Sequence, residues 1–201
     1  MSHDLAEIYP PFGLRICCGE MVLRGITDAD IVPLAEVARR GVHDKPHEES
    51  PLTPDWTQVP PERLTIDLAQ WTWGHRSRFS PDDWILALLV EHRGRIMGVQ
   101  EGKGFTFREN GLVTTGSWLG MEFQGRGLGT LMRQTFYTFL LDHLGARTVA
   151  SEAFIDNPAS IRVSEKTGMR RVGGTRKVRG LHSQQDQYVF AVDAPGLVRP
   201  Q

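Results

Sequence analysis

The sequence has few cysteines, no long apolar run and almost no net charge, and each deficit argues against a class of protein. Its two cysteines, Cys17 and Cys18, are neighbours that would point to opposite faces of a strand, so we expect reduced thiols and a cytoplasmic protein. The longest apolar stretch, Trp84–Val90, is far shorter than the roughly 20 residues that span a membrane. Lys plus Arg number 23 and Asp plus Glu 24, and this net charge of −1 is not typical of nucleic-acid-binding proteins. We therefore expect neither a membrane nor a nucleic-acid partner.

The composition that is present suits one globular domain. Hydrophobic residues make up 40% of the 201 residues and charged residues 23%, which is enough apolar material to bury a core. Prolines cluster between residues 41 and 61, where apolar periodicity is weak, so we expect a flexible loop there. We predict a single domain over 1–201, with its core at about 14–192 and a frayed tail over 193–201.

Hydrophobic periodicity predicts an alternation of strands and helices. The helix opened by Thr27–Asp30 should bury a face of Ile31, Leu34, Ala35, Val37 and Ala38. The other predicted elements, in chain order, are a strand at 14–24, a helix from Pro61 to about Phe79, strands at 84–91, 95–107 and 112–121 with an Asn110-Gly111 hairpin turn, a helix at 128–144 ended by Gly145, a strand at 147–155, a helix from Asp156 ended by Gly168, and strands at 169–178 and 187–192. This order predicts an α/β fold, a mixed and mainly antiparallel central sheet with helices on both faces.

A glycine-rich turn before the strongly amphipathic helix at 128–144 is the clearest functional signal. Gly125, Gly127 and Gly129 let the backbone approach a ligand, and the helix start adds unpaired N–H groups and a positive dipole end. These features favour a phosphate site, to which Arg126 adds a cation. A P-loop is excluded because Arg126 and Gly127 stand where Lys and Ser/Thr are required, and a dinucleotide fingerprint is excluded because Thr130 replaces its last glycine.

The turn does match the pattern Q-x-x-G-x-G, as Gln124, Gly127 and Gly129, and a second pattern lies at Asn157–Met169. Together the two patterns resemble the GNAT superfamily of acyl-CoA-dependent N-acyltransferases, and the likeness extends over about 14–192. Within it, the strand ending at Gly120 and the turn ending at Ser160 resemble the branch of ribosomal-protein N-terminal acetyltransferases and their actinobacterial relatives.

This resemblance implies an enzyme that moves an acyl group from coenzyme A directly to an amine. It leaves open whether the donor is acetyl-CoA or succinyl-CoA, and whether the acceptor is a small molecule, a lysine or a protein N-terminus. The relatives often form dimers, so a homodimer is an expectation. The alternative is a non-catalytic acyl-CoA-binding regulatory module that has kept the cofactor site and lost turnover.

The resemblance also assigns the donor site residue by residue. The strand ending at Leu119-Gly120-Met121 would splay from the next strand, pantetheine would lie in the gap, and the glycine turn would hold the pyrophosphate. The implied coenzyme A contacts are Leu119, Met121, Gln124, Gly125, Arg126, Gly127, Leu128, Gly129, Thr130, Asn157 and Ser160.

Two residues are the first candidates for proton transfer. Ser164 stands where relatives often carry a tyrosine that protonates the departing thiolate; the alternative is a helix serine that bonds its own backbone. Glu152 is the first candidate for the general base, because an amine with a pKa of about 10.4 must lose a proton before it attacks. Ser117, Gln100 and Glu101 are further candidates, and catalysis through ordered water is an equal alternative.

Three other features are weaker signals. His43 and His47 are spaced like metal ligands, but Pro46 separates them, so a solvated loop and no metal are expected. Trp71 or Trp73 is a candidate for the acceptor pocket. The basic stretch 170–179 is interpreted as a solvated strand pair, with an anion site as the alternative.

Overall fold

The computed structural model describes residues 4–179 and 183–201. The α-helices are α1 (Leu5–Ile8), α2 (Ile31–Arg39), α3 (Pro61–Ser77), α4 (Phe107–Asn110), α5 (Leu128–Thr138) and α6 (Pro158–Lys166). The strands are β1 (Arg15–Cys18), β2 (Met21–Gly25), β3 (Trp84–His92), β4 (Arg95–Gly104), β5 (Leu112–Leu119), β6 (Thr148–Phe154), β7 (Arg170–Arg179) and β8 (Ser183–Val192). Single turns of 3-10 helix cover Pro10–Phe12, Asp28–Asp30, His47–Glu49, Trp56–Gln58 and Met121–Phe123, and a π-helical turn over Phe139–His143 extends α5.

The strands form one sheet in the order β1-β2-β3-β4-β5-β6-β8-β7. Every neighbouring pair is antiparallel except β5 and β6, which run parallel. One face is covered by α2 and α3, and the other by α5, which also touches α6. The predicted mixed, mainly antiparallel sheet with helices on both faces is therefore confirmed. Among the described residues, no helix combines the length and apolar character that crossing a membrane requires.

The sequence signals at α2 act as predicted. Thr27 and Asp30 form a capping box, and all five predicted apolar positions of the helix are buried. The Asp30 carboxylate also accepts two hydrogen bonds from the Arg24 guanidinium, at 2.7 and 2.8 Å. Burial alone would raise the pKa of Asp30, but the hydrogen bonds from Arg24 and Thr27 outweigh it and lower this pKa to about 2.

Asp30→Asn is expected to reduce the free energy of unfolding at pH 7 by about 2 kcal/mol, since one pKa unit is worth about 1.4 kcal/mol. A depressed folded pKa stabilises the fold above the unfolded pKa of about 3.9, and this contribution is lost as the pH falls through about 2. Urea denaturation of both proteins at several pH values between 7 and 3 tests this. The difference should shrink below about pH 4, and a difference that stays constant would contradict the assignment.

Two predictions, one about a strand and one about a turn, are wrong. The single strand predicted at 14–24 is the hairpin β1–β2, because Gly19 takes a left-handed φ of 55° and turns the chain. The predicted Asn-Gly hairpin turn is instead the end of α4: Asp83 and Asp82 accept from the backbone N–H groups of Thr106 and Arg108, which starts a helical turn that Gly111 ends.

The C-terminal segment is packed where fraying was predicted. Leu197 is 6% exposed and belongs to the main core, and the Val198 N–H donates to the Thr167 carbonyl. The carbonyl of Gly196 lies 2.1 Å from where a Cβ on Gly168 would stand, so only glycine fits at the turn after α6.

Candidate active site

A gap between β5 and β6 is the dominant feature of the sheet. The two strands pair from Leu112–Thr148 to Thr115–Ser151 and then separate. Beyond that point β5 stays with β4, as far as Leu119 opposite Gly98, while β6 stays with β8. The gap widens into an open groove of about 1620 Å³ that reaches both faces of the sheet.

The glycine turn lies at one end of this groove. Gly125 and Gly127 have left-handed φ values of 72° and 78°, and Gly127 is the N-cap of α5. Among residues 4–179 and 183–201, no side-chain hydrogen bond from the N-cap closes this helix start, since the N-cap is a glycine. The positive dipole end of α5 therefore faces open space, which fits the pyrophosphate of a coenzyme A thioester.

Several predicted donor contacts surround that end of the groove. Gln124, Gly125, Gly127, Gly129 and Thr130 all line it. The Gln124 side chain donates to the carbonyls of Val42 and Leu119, at 2.8 and 2.7 Å, so it fixes the turn while its backbone remains beside the groove.

The other predicted donor contacts differ in exposure. Leu119 and Met121 line the groove, and the Met121 N–H donates to the Gly41 carbonyl. Leu128 is half-buried against the core and Arg126 is exposed, and neither of these two residues lines the groove.

On α6, Asn157 and Ser160 line the opposite wall. The Asn157 side chain accepts from the Ser160 N–H and caps the helix.

Ser164 is 0% exposed and lies beneath that wall. Its hydroxyl donates to the Ser160 carbonyl at 3.0 Å and accepts from Arg133 Nη1 at 3.1 Å. The proton of Ser164 is therefore engaged by the helix backbone, as the alternative interpretation of this serine describes. Its role as a proton donor stays a prediction.

Arg133 is the residue that the sequence reasoning missed. It lies on α5 and is 8% exposed, and its guanidinium also reaches Ser160 Oγ at 3.3 Å and Ser117 Oγ at 3.4 Å. Its position three residues before Phe136 and four before Tyr137, both 0% exposed, put it on the buried face of the helix. That spacing was the available signal.

The α2–α3 side of the groove is lined by aromatic rings and carboxylates. Trp56 and Trp118 have ring centroids 5.2 Å apart, and Trp71 lies nearby on α3. Trp73 instead points outward, is 50% exposed and donates to Asp28. Of the two predicted tryptophans, only Trp71 lines the groove.

The Glu101 side chain, on β4, lines the same α2–α3 side of the groove. Its carboxylate is within 2.9 Å of Lys103 Nζ and 3.8 Å of His75 Nε2. Burial lowers the pKa of His75, although Glu101 acts in the opposite direction. The imidazole is therefore neutral at pH 7.

Glu152 on β6 lies across the gap and also lines the groove. Its carboxylate pairs with Lys177, and about a third of its side chain (35%) is exposed, against 12% for Glu101. Both carboxylates thus flank the mouth of the gap, and Glu101 lies deeper. Gln100 is fully buried, and its amide donates to the Gly116 carbonyl at 3.1 Å.

The proline-rich loop closes this side through a buried polar cluster. His43 and His47 both face Asp55, whose side chain is 1% exposed, at 3.6 and 3.1 Å. Burial would raise the pKa of Asp55, but hydrogen bonds led by those of Thr57 lower it. The two histidines are therefore held by a carboxylate inside the loop, where a solvated loop was predicted; within 4–179 and 183–201, no group of side chains suits a metal ion.

The basic stretch of β7 is exposed except at its end. Arg179 is 5% exposed; it donates to the Ser50 carbonyl at 2.8 Å and pairs with Asp156 at 2.7 Å, which ties the loop to the start of α6.

Residues 20–170 match the family described as "Acetyltransferase (GNAT) domain", which is more than half of the chain. The chain belongs to the GNAT acetyltransferase family. This confirms the family predicted from Gln124–Thr130 and Asn157–Met169, and with it an N-acetyltransferase enzyme.

Solved structures of other GNAT acetyltransferases share its fold. Mycobacterium smegmatis RimJ, in complex with CoA-disulfide, has a TM-score of 0.75 at 17% identity over 90% of this chain and 84% of that one. The ribosomal-protein-S5-alanine acetyltransferase of Vibrio fischeri has a TM-score of 0.70 at 16% identity, over 92% and 99%. The microcin C7 self-immunity acetyltransferase MccE, in complex with acetyl-CoA and AMP, has a TM-score of 0.68 at 18% identity, over 88% and 93%.

Proposed function

We propose that this GNAT enzyme transfers an acetyl group directly from acetyl-CoA to a primary amine within the gap between β5 and β6. The observation that carries the proposal is the continuous groove from the uncapped start of α5 to the paired carboxylates at the mouth of the gap. Its two ends differ in charge, which suits an anionic donor at one end and a cationic acceptor at the other.

The donor occupies the α5–α6 side in this proposal. The N–H groups at the start of α5 would bind the pyrophosphate, since helix N-termini favour anions. Pantetheine would lie along the edge of β5 over Gly116–Leu119, where β6 no longer supplies hydrogen-bond partners. Arg162 and Lys166 line the same wall and add positive charge for the nucleotide phosphates.

The acceptor occupies the α2–α3 side. Trp56, Trp71 and Trp118 offer ring faces to an alkylammonium group, and Glu101 offers a carboxylate. Asp67 and Glu48 line the same side and strengthen the preference for a cation. These features support an amine acceptor and do not distinguish a protein N-terminus from a lysine or a small molecule.

Glu101 is the proposed proton acceptor. It is the more buried of the two carboxylates at the gap, and the neutral imidazole of His75 lies beside it at 3.8 Å. Glu101 would take the proton of the bound ammonium, so that the free amine attacks the thioester carbonyl. The backbone of β5 beside Gly116 would orient that carbonyl, because Gly116 lies opposite Glu101 in the register.

A cytoplasmic location is part of the proposal. Cys17 and Cys18 are both unpaired, one exposed and one half-buried, which fits a reducing compartment.

Paired calorimetry with acetyl-CoA and succinyl-CoA tests the donor site. Micromolar binding of acetyl-CoA, followed by transfer to at least one of three probes (an N-terminal peptide, N-acetyl-lysine amide and a small diamine), is the expected result. Tighter binding and faster transfer of succinyl-CoA would reassign the donor. Failure to bind either thioester would reject the proposed function.

A further inference from the structure

Arg133 is a buried cation without an anionic partner. The guanidinium contacts only hydroxyl oxygens, those of Ser117, Ser160 and Ser164, and no carboxylate within the described ranges 4–179 and 183–201 pairs with it. A buried charge is costly unless a counter-charge accompanies it. The site is therefore built to meet a negative charge that the folded chain does not itself supply.

The location of Arg133 in the groove indicates which negative charge its guanidinium would meet. Strand alternation and the contact with Ser117 place Arg133 on the α5 face of the sheet, while Glu101, opposite Gly116, faces α3 and His75. Arg133 also lines the groove, between the glycine turn and the point where β5 and β6 meet at Thr115–Ser151. The base Glu101 and the cation Arg133 thus lie on opposite faces of the sheet, beside the same gap.

We propose that Arg133 is a catalytic residue whose guanidinium stabilises the coenzyme A thiolate as it departs. This inference rests on the proposed function. The bound ammonium first gives one proton through Glu101 to solvent. The free amine nitrogen then forms a bond to the carbonyl carbon, and the second proton that it loses passes to Glu101 as the amide forms. The carbon–sulfur bond breaks, its electron pair stays on sulfur, and the thiolate leaves as an anion beside Arg133 or takes a proton from water.

The donors available on Arg133 suit this task. A guanidinium carries five N–H groups, and the three contacts to serine use one each on Nε, Nη1 and Nη2. Two N–H groups remain for the sulfur. The three serines hold the guanidinium plane without neutralising it, since hydroxyls carry no charge. Ser160 and Ser164 are positioning residues in this account.

Two variants, Arg133→Met and Arg133→Lys, distinguish the contribution of the positive charge at this position from that of side-chain shape. For Arg133→Met we expect kcat with acetyl-CoA to fall about 100-fold, with KM for acetyl-CoA changed less than about threefold, because the interaction forms only in the transition state. Arg133→Lys keeps the charge and should stay within about tenfold of the wild type. Melting temperatures of both variants report whether the fold survives.

A titration of bound coenzyme A gives a readout that does not depend on turnover. Thiolate absorbance of the enzyme–CoA complex, followed against pH, should show a thiol pKa that is higher by about 1 or more in Arg133→Met than in the wild type. Ser164→Ala removes one of the three serine contacts that position Arg133 and keeps its charge, so it should raise that pKa by less than Arg133→Met does.

Three results would overturn the assignment. The first is normal CoA binding with the same thiol pKa in wild type and Arg133→Met, which would reject Arg133 and leave the proposed function standing. The second is an Arg133→Met variant that loses only succinyl-CoA, which would assign the cation to an acyl carboxylate. The third is failure of the wild type to bind CoA at all in calorimetry, which would reject the proposed function and this inference together.

Discussion

Gly127→Val is expected to weaken acetyl-CoA binding at least about 100-fold, a loss of about 2.7 kcal/mol. Gly127 has a φ of 78° at the start of α5, a conformation that a β-branched residue rarely adopts. Valine would either rotate the N–H groups away from the pyrophosphate position or project its side chain into it. Calorimetry with acetyl-CoA measures the loss directly.

Gly145→Val is the matched control for this prediction. Gly145 has a φ of 85° and, like Gly127, no atom within 4 Å of an added Cβ, but it lies at the other end of the same helical segment. Both variants should lose comparable stability, of about 1–3 kcal/mol, in thermal unfolding. Only Gly127→Val should lose the donor. Equal donor affinity in the two variants would mean that the glycine turn does not hold coenzyme A.

Glu101→Gln is expected to lower kcat about 100-fold or more at pH 7 while donor affinity stays unchanged. Glutamine keeps the size of the side chain and removes its charge, so the amine must lose its proton to water. The deficit should narrow as the pH approaches the pKa of an alkylamine, about 10.4, because more of the acceptor is then already neutral. Initial rates from pH 6 to pH 9.5, with acceptor in excess, give the profile.

Glu152→Gln provides the comparison, because Glu152 flanks the same gap and also pairs with a lysine. It should change kcat by less than about tenfold. If Glu152→Gln shows the large loss and Glu101→Gln does not, then the proton acceptor is Glu152, as the sequence first indicated. Comparable small losses in both would point to an ordered water relay.

The parts of the site that the sequence predicted are local in the chain. The glycine turn and α5 lie within a few residues of one another, and the helix predicted to start at Asp156 is capped by Asn157 within its own first turn. Local backbone conformations of this kind can be predicted from the sequence, because glycine is strongly favoured in a left-handed turn and few side chains cap a helix.

The parts that the sequence did not predict depend on distant residues. Arg179 donates to Ser50, 129 residues away, and nothing in the local pattern of β7 distinguishes it from the exposed arginines before it. The contacts of Arg133 depend on serines from β5 and α6, which the pattern of its own helix does not reveal. Glu101 and Glu152 could not be ranked without knowing that His75 stands behind only one of them.

Because β5 and β6 separate early, the sheet is held together across one short seam. Five strands, β1 to β5, form one panel and β6, β8 and β7 form another, and the seam between them extends only from Leu112–Thr148 to Thr115–Ser151. Pantetheine bound in the gap would take the place of an added ninth strand and join the two panels of the sheet along their full length. Each turnover would then break that joint as the thiol product leaves, so the two panels would be joined by this seam alone between reaction cycles.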